Sequence, residues 1–207
     1  MLSDRRKALL NWLTETCKQG SNYLTDIPMQ KFLFFYECFS KIDGDFYDFS
    51  NLMGYKRGPV FSDVYEAKKY YQIYIIDDKK AEYQINQNRA RLAFFLVQVL
   101  GNDLSDFTHT LDIWKSKEEQ IKNGAVKLSE EDFSEADTEK FIEIKNAFTP
   151  EFIDSFNIVD INGTAFLFPK NAEFKDEYYD AFYIASHDEK FQSPVYADVI
   201  GGELYLD

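Results

Sequence analysis

The side chains best suited to nucleophilic or metal chemistry at neutral pH are few in this chain. They are two histidines, His109 and His187, and two cysteines, Cys17 and Cys38. A zinc site takes His and Cys ligands at short spacing, and no such grouping exists here. Cys38 lies in the aromatic-rich run 29–39, where a thiol is expected to be buried and inert rather than activated. Without a CxxC pair, the cysteines read as reduced thiols of a cytosolic protein. The phosphate loops GxxxxGK[ST] and GxGxxG and the nucleophile elbow GxSxG are missing. Carboxylates are abundant, but nothing in their spacing sets two of them across a substrate. The expectation is a protein that is not an enzyme and needs neither cofactor nor metal.

Two further segments could touch a ligand. Lys56-Arg57 precedes Gly58-Pro59, where a helix start would turn free N–H groups outward and could cradle an anion. Proline removes one of those donors, and a tight strand-to-helix turn accounts for the same residues. His109, between Thr108 and Thr110, is expected to be a hydrogen-bonded histidine closing a helix junction.

The elements that would position these residues are mainly helical. Leu9, Leu10, Leu13 and Cys17 share one face of a helix over 4–18. The preceding Arg5, Arg6 and Lys7 resemble a signal-peptide start. No small-residue cleavage site follows, so an amphipathic helix is the reading. Asp26-Ile27-Pro28 opens a second helix, with Pro28 at its first position. Its apolar residues occupy more than one face, which predicts a central, buried helix. Phe46–Tyr55 suggests a short strand pair, and Gly58-Pro59 a helix start running on to Tyr71. Tyr74–Ile85 suggests a small hairpin around Asp77-Asp78. A helix over 88–100 ends at Gly101. Short helices fit 104–110 and 112–122, and helix starts fit Ser129–Asp132, Asp137–Lys140 and Thr149-Pro150. Beyond 156, Asn162-Gly163 and Gly201-Gly202 each sit between apolar runs, a strong hairpin signal. Tyr178–Ala185 reads as a further strand.

Charge divides the chain. Net charge is −13. Residues 1–130 hold 18 basic and 18 acidic side chains, whereas residues 131–207 hold 5 and 18. The acidic end repels a phosphate backbone, so direct nucleic-acid binding is not expected, and it would attract a basic partner. No apolar run approaches the length of a membrane span.

Three segments, in this order, resemble the Panacea domain, the SocA-like, phage-associated family also called GepA. They are Met29-Gln30-Lys31-Phe32-Leu33-Phe34-Phe35-Tyr36, then Tyr55-Lys56-Arg57-Gly58-Pro59-Val60 with Val64-Tyr65, then Leu104-Ser105-Asp106-Phe107-Thr108-His109 with Trp114. The resemblance covers roughly residues 5–150. Arg57 is inserted before the Gly-Pro pair, Phe107 replaces a leucine, and the C-terminal part has no counterpart. The resemblance implies a mostly helical domain without enzymatic activity that binds and neutralises a protein toxin, here one encoded by the adjacent gene. It also implies, as an alternative, a proteolytic adaptor that hands a partner to a protease complex. The charge supplies another alternative, a phage or mobile-element inhibitor whose acidic surface mimics nucleic acid.

The expected fold is mainly α. A compact helical domain with short β-hairpins (1–155) carries a small acidic β-rich C-terminal extension (156–207), giving an α+β class overall. Gln30, Lys31, Gly58, Pro59, Tyr65, Thr108, His109 and Trp114 are the signature of the scaffold. Candidate partner-binding residues are Tyr55, Arg57, Phe61, Glu173, Asp176, Glu177, Tyr178, Tyr179 and Asp180. The expected location is the cytoplasm of a bacterial or phage-infected cell, with no membrane contact.

Overall fold

The computed structural model describes residues 2–17, 21–71 and 83–207. Most of the hairpin expected over Tyr74–Ile85 lies outside them, and its last three residues, 83–85, are not strand. The class is α+β and mainly helical.

Helix α1 (Asp4–Thr16) starts where the Ser3 hydroxyl accepts the Arg6 N–H. Helix α2 (Asp26–Ile42) buries an unbroken run from Met29 to Ser40. It begins two residues before Pro28, which is therefore its third residue rather than its first. Phe32, Phe34, Phe35 and Phe39 are fully buried, and each such burial contributes about 2–3 kcal/mol. Strand β1 (Leu52–Tyr55) pairs antiparallel with β2 (Gly58–Phe61), in the register Tyr55↔Gly58 and Leu52↔Phe61. This corrects two expectations. Gly58-Pro59 begins a strand, not a helix, and Phe46–Phe49 is not a strand. Gly58 takes φ +98°, a strand-turn conformation that no helix start uses. Pro59 is tolerated because β2 is an edge strand in the order β2-β1-β3.

Helix α3 (Ser62–Tyr71) follows directly. Helix α4 (Gln87–Leu100) is capped by the Asn86 side chain and stops at Gly101, as expected. Helix α5 (Leu104–His109) matches its expected span. The expected helix 112–122 is two separate turns, α6 (Asp112–Lys115) and α7 (Glu118–Ile121). Strand β3 (Val126–Lys127) completes the small sheet against β1. Ser129–Asp132 is a short 3-10 turn with a capping box. Helix α8 (Glu135–Ala147) starts from Ser134, earlier than Asp137, and α9 (Pro150–Ser155) from Thr149.

Strand β4 (Phe156–Ile161) and β5 (Thr164–Pro169) form the expected hairpin. Asn162 and Gly163 both take positive φ, 56° and 82°, as a two-residue hairpin turn demands. The expected strand over Tyr178–Ala185 is instead helix α10 (Asp176–Ala185). Tyr178, Phe182 and Ala185 recur at helical spacing, and all three are buried. Strand β6 (Val195–Ile200) pairs parallel with β5 and antiparallel with β7 (Glu203–Leu206). A parallel pair needs a crossover connection, and α10 supplies it. The C-terminal unit is therefore a four-stranded mixed sheet, β4-β5-β6-β7, with one helix.

That sheet has two differently used faces. Phe166, Phe168 and Val195 pack under Tyr178 and Phe182 in a second core. Leu167 points the other way into the main core, where α4 packs against β5. Asn102, just after α4, ties the units at the turn. Its N–H reaches the Gly163 carbonyl (3.4 Å) and its side-chain amide reaches the Asn162 carbonyl (3.1 Å).

Candidate functional site

The three sequence segments meet at one junction, the β1–β2 hairpin. Gln30 on α2 brackets Phe61 as a neighbouring strand would. Its Oε1 accepts the Phe61 N–H at 2.8 Å, and its Nε2 donates to the Phe61 carbonyl at 3.3 Å. One turn-facing neighbour, Lys31, extends beneath the Lys56-Arg57 turn and donates to the carbonyls of Arg57 (2.8 Å) and Pro59 (3.4 Å). From α5, the Ser105 hydroxyl donates to the same Arg57 carbonyl at 3.3 Å. From α6, the Trp114 indole N–H donates to the Tyr55 carbonyl at 2.9 Å. The turn is thus held by backbone acceptors whose donors come from three other elements. Thr108, fully buried, crowds Gly58 together with Lys31, so the position admits no Cβ.

His109 stacks on Trp114 with ring centroids 4.0 Å apart. Its Nε2 is buried without a hydrogen-bond partner among the described residues, while the Lys56 backbone hydrogen-bonds to the ring. Burial pushes its pKa down, and the nearby Lys31 ammonium adds to the shift. Asp137 fastens this region from α8. Its carboxylate accepts the N–H groups of Asp112 (2.8 Å) and Ile113 (2.9 Å), capping α6 rather than its own helix.

Lys31 is almost wholly buried, and burial alone pushes its pKa down to about 7 from 10.5. The unfolded chain keeps that proton up to 10.5, whereas the folded protein releases it near 7. Between these values the unfolded state binds more protons, so stability rises with pH. The expected slope attributable to Lys31 is at most about 1.4 kcal/mol per pH unit, the value for one proton. Urea melts of the protein and of Lys31→Met between pH 7 and 9.5 give the difference slope. Parallel profiles for the two proteins would remove the basis for a buried, unpaired amine.

A second charged cluster joins residues far apart in the sequence. Glu37, mid-way along α2, has no exposed surface, and Arg5 clamps it with Nε (2.8 Å) and Nη2 (2.7 Å). Arg6 lies 3.7 Å from the same carboxylate and donates to the carbonyls of Asp48 and Ser50. Its guanidinium sits over the Phe61 ring at 3.4 Å. Burial opposes the charge of both arginines. Glu37 more than offsets this for Arg5, whose pKa stays above its ordinary value, whereas that of Arg6 is lowered. Arg5 and Arg6, which looked like the start of a signal peptide, are core ion-pair residues. Cys38 is buried and its thiol pKa is pushed well up, as an inert thiol requires.

The candidate partner-binding residues fall into two groups. Tyr55 and Arg57 sit at the hairpin. Glu173, Asp176, Glu177, Tyr179 and Asp180 are exposed on α10 and the segment leading into it. Two expectations fail. Phe61 is fully buried beneath Arg6, and Tyr178 is buried in the second core with its hydroxyl donating to the Gly202 carbonyl (2.9 Å). Neither can meet a partner.

The structure adds residues that the sequence reading missed. Tyr183 and Ile184 extend the outer face of α10, and Tyr196, Ile200 and Tyr205 stand exposed on the face of β6 and β7 turned away from α10. A broad depression of about 820 Å³ is bordered there by Asp154, Tyr196, Asp198 and Tyr205. Strand alternation was the available signal, because Tyr196, Asp198 and Ile200 share one parity and the buried Val195 and Ala197 the other. Among the described residues no His, Cys, Asp and Glu group could hold a metal ion. No described helix is long and apolar enough to cross a membrane.

No protein-family model, curated protein or solved structure matches the chain.

Proposed function

We propose that this is a non-enzymatic binding protein that neutralises a protein toxin by direct complex formation. The observation that carries the reading is the surface of the C-terminal unit. Most of the large apolar side chains left exposed on the described residues lie between Phe174 and Tyr205. They stand on a unit whose residues 156–207 hold 10 acidic and 3 basic side chains. Exposed aromatics that carry a charged rim are the usual anatomy of a protein-binding surface. The hairpin junction supports the same division of labour. Gln30, Lys31, Gly58, Thr108 and Trp114 spend their polar groups or their space on holding the scaffold, and the resemblance to the Panacea domain rests on that scaffold.

Co-expression with the toxin encoded next door is expected to restore growth, and Tyr179→Ala with Tyr183→Ala is expected to abolish the rescue while the protein stays folded. Continued arrest with both wild-type proteins soluble would sink the reading.

The segregated charge favours a second reading, an inhibitor that offers a basic, nucleic-acid-binding target an acidic surface. That complex weakens steeply between 50 and 500 mM salt, whereas an aromatic-anchored complex does not. Binding measured across that range separates the two.

A further inference from the structure

The β1–β2 turn reverses the charge of the molecule around it. The chain carries net charge −13, yet Lys56 and Arg57 stand exposed side by side, with no ion pair to either among the described residues. Beside them opens a groove of about 470 Å³ between α2, the hairpin and the α7–β3 connection. Its walls are mostly apolar: Ile27, Tyr55, Val60, Tyr65, Ile121 and Ala125. The Tyr55 and Tyr65 rings lie 6.3 Å apart and form one side. The single carboxylate on the lining, Asp26, is engaged by Lys68 at 2.6 Å. Lys31 also lines the groove, with its ammonium turned to the Arg57 and Pro59 carbonyls.

We propose that this groove binds a small amphipathic anion, a carboxylate carried on an aliphatic or aromatic body. The size falls within the range of small-molecule sites, and the walls supply the apolar surface that such sites use for affinity. The mouth selects charge. Two unpaired cations attract a carboxylate and repel an amine, and Arg57 offers the planar donor fork that fits a carboxylate. A ligand of high charge density without an apolar body would leave Tyr55, Tyr65 and Ile121 unused. The site uses none of the C-terminal surface assigned to the protein partner, so each assignment stands or falls alone.

Octanoate and 1-octanol are suitable probes because they differ in the headgroup and share the body. Isothermal titration calorimetry at low salt is expected to show one octanoate bound per chain, at least tenfold more tightly than octanol. Replacing Lys56 and Arg57 together by Gln, at two exposed positions, should weaken octanoate at least tenfold and leave octanol unchanged. Ala125→Trp, also at an exposed position, fills the groove and should abolish both. Circular dichroism melts confirm that the variants fold. Three results would overturn the proposal: no octanoate binding at millimolar concentration, octanol bound as tightly as octanoate, or octanoate binding that survives Ala125→Trp. Binding of an acidic aromatic peptide without octanoate would likewise overturn it, assigning the groove to a protein.

Discussion

Glu37→Ala is expected to lower folding stability by about 4 kcal/mol, because removing one partner from a buried ion pair leaves the other charged and unpaired. Here one carboxylate serves two guanidiniums. Arg5 and Arg6 are at most 5% exposed, so neither can recover the loss by turning to water. Glu37 Oε2 also accepts the Asp48 N–H at 3.0 Å, which fixes the chain between α2 and β1. For a chain of this length the loss corresponds to a fall in Tm of roughly 8–16 °C. Glu37→Gln keeps the shape and the acceptor for Asp48 but not the charge, and should fall between wild type and alanine. The informative control replaces Arg5, Arg6 and Glu37 together with apolar residues of similar size. Removing the whole set avoids a buried guanidinium without Glu37 and deprives only the part-buried Asp48 and Asp63 of Arg6 (3.8 Å from each), so it should cost less than Glu37→Ala. A triple variant as unstable as Glu37→Ala would place the effect in packing around α1. A Glu37→Ala protein within about 1 kcal/mol of wild type would show that the guanidiniums reach water.

The cluster also shows where sequence reading reaches its limit. The stripe Leu9, Leu10 and Leu13 announced α1 by local spacing, and the all-round apolar pattern of 29–39 announced a central α2. Neither pattern says that Arg5 and Arg6 close onto Glu37, because that pairing joins residues 31–32 positions apart in the chain. A cue was present nonetheless. A carboxylate in the middle of a helix buried on every side must find a cation. The turns at Asn162-Gly163 and Gly201-Gly202 were legible because a two-residue hairpin is decided by its own residues. Helix α10 was not. Its Tyr and Phe content suits a strand, and the need for a crossover follows only once β5 and β6 are known to run parallel. For the candidate site, the hairpin signature was legible as residue types at fixed order. That Gln30 completes β2 was not, since Gly58-Pro59 satisfies a helix start and a strand equally well until a residue 31 positions away arbitrates. The exposure of Tyr196 and Tyr205 is encoded in local strand alternation, which the net charge of the tail does not reveal.

Gly58→Ala is the sharpest test of that arbitration, and its expected cost is about 3 kcal/mol. Two effects combine. At φ +98° an L residue is strained, typically by about 1–2 kcal/mol. A Cβ there would also fall well inside van der Waals contact of Lys31 Nζ and Thr108 Oγ1. Both neighbours are buried and committed, Lys31 to the Arg57 and Pro59 carbonyls and Thr108 to the Ser105 carbonyl (2.9 Å). Forcing them aside is an overpacking cost of about 1–3 kcal/mol. Gly44→Ala separates the two effects, because Gly44 has φ +71° and nothing within 4 Å of its would-be Cβ. It should show the backbone strain alone, about 1 kcal/mol. The excess of Gly58→Ala over Gly44→Ala in urea melts therefore measures how tightly α2 and α5 hold the turn. Trp114 reports on the same event, since its indole donates to the Tyr55 carbonyl at the other end of the turn. Its emission should shift to longer wavelength in Gly58→Ala as the indole loses that acceptor and gains water, and stay unchanged in Gly44→Ala. Equal costs for the two glycines, with Trp114 emission unaltered, would mean that the hairpin is free to move off α2 and that the three segments do not form one junction.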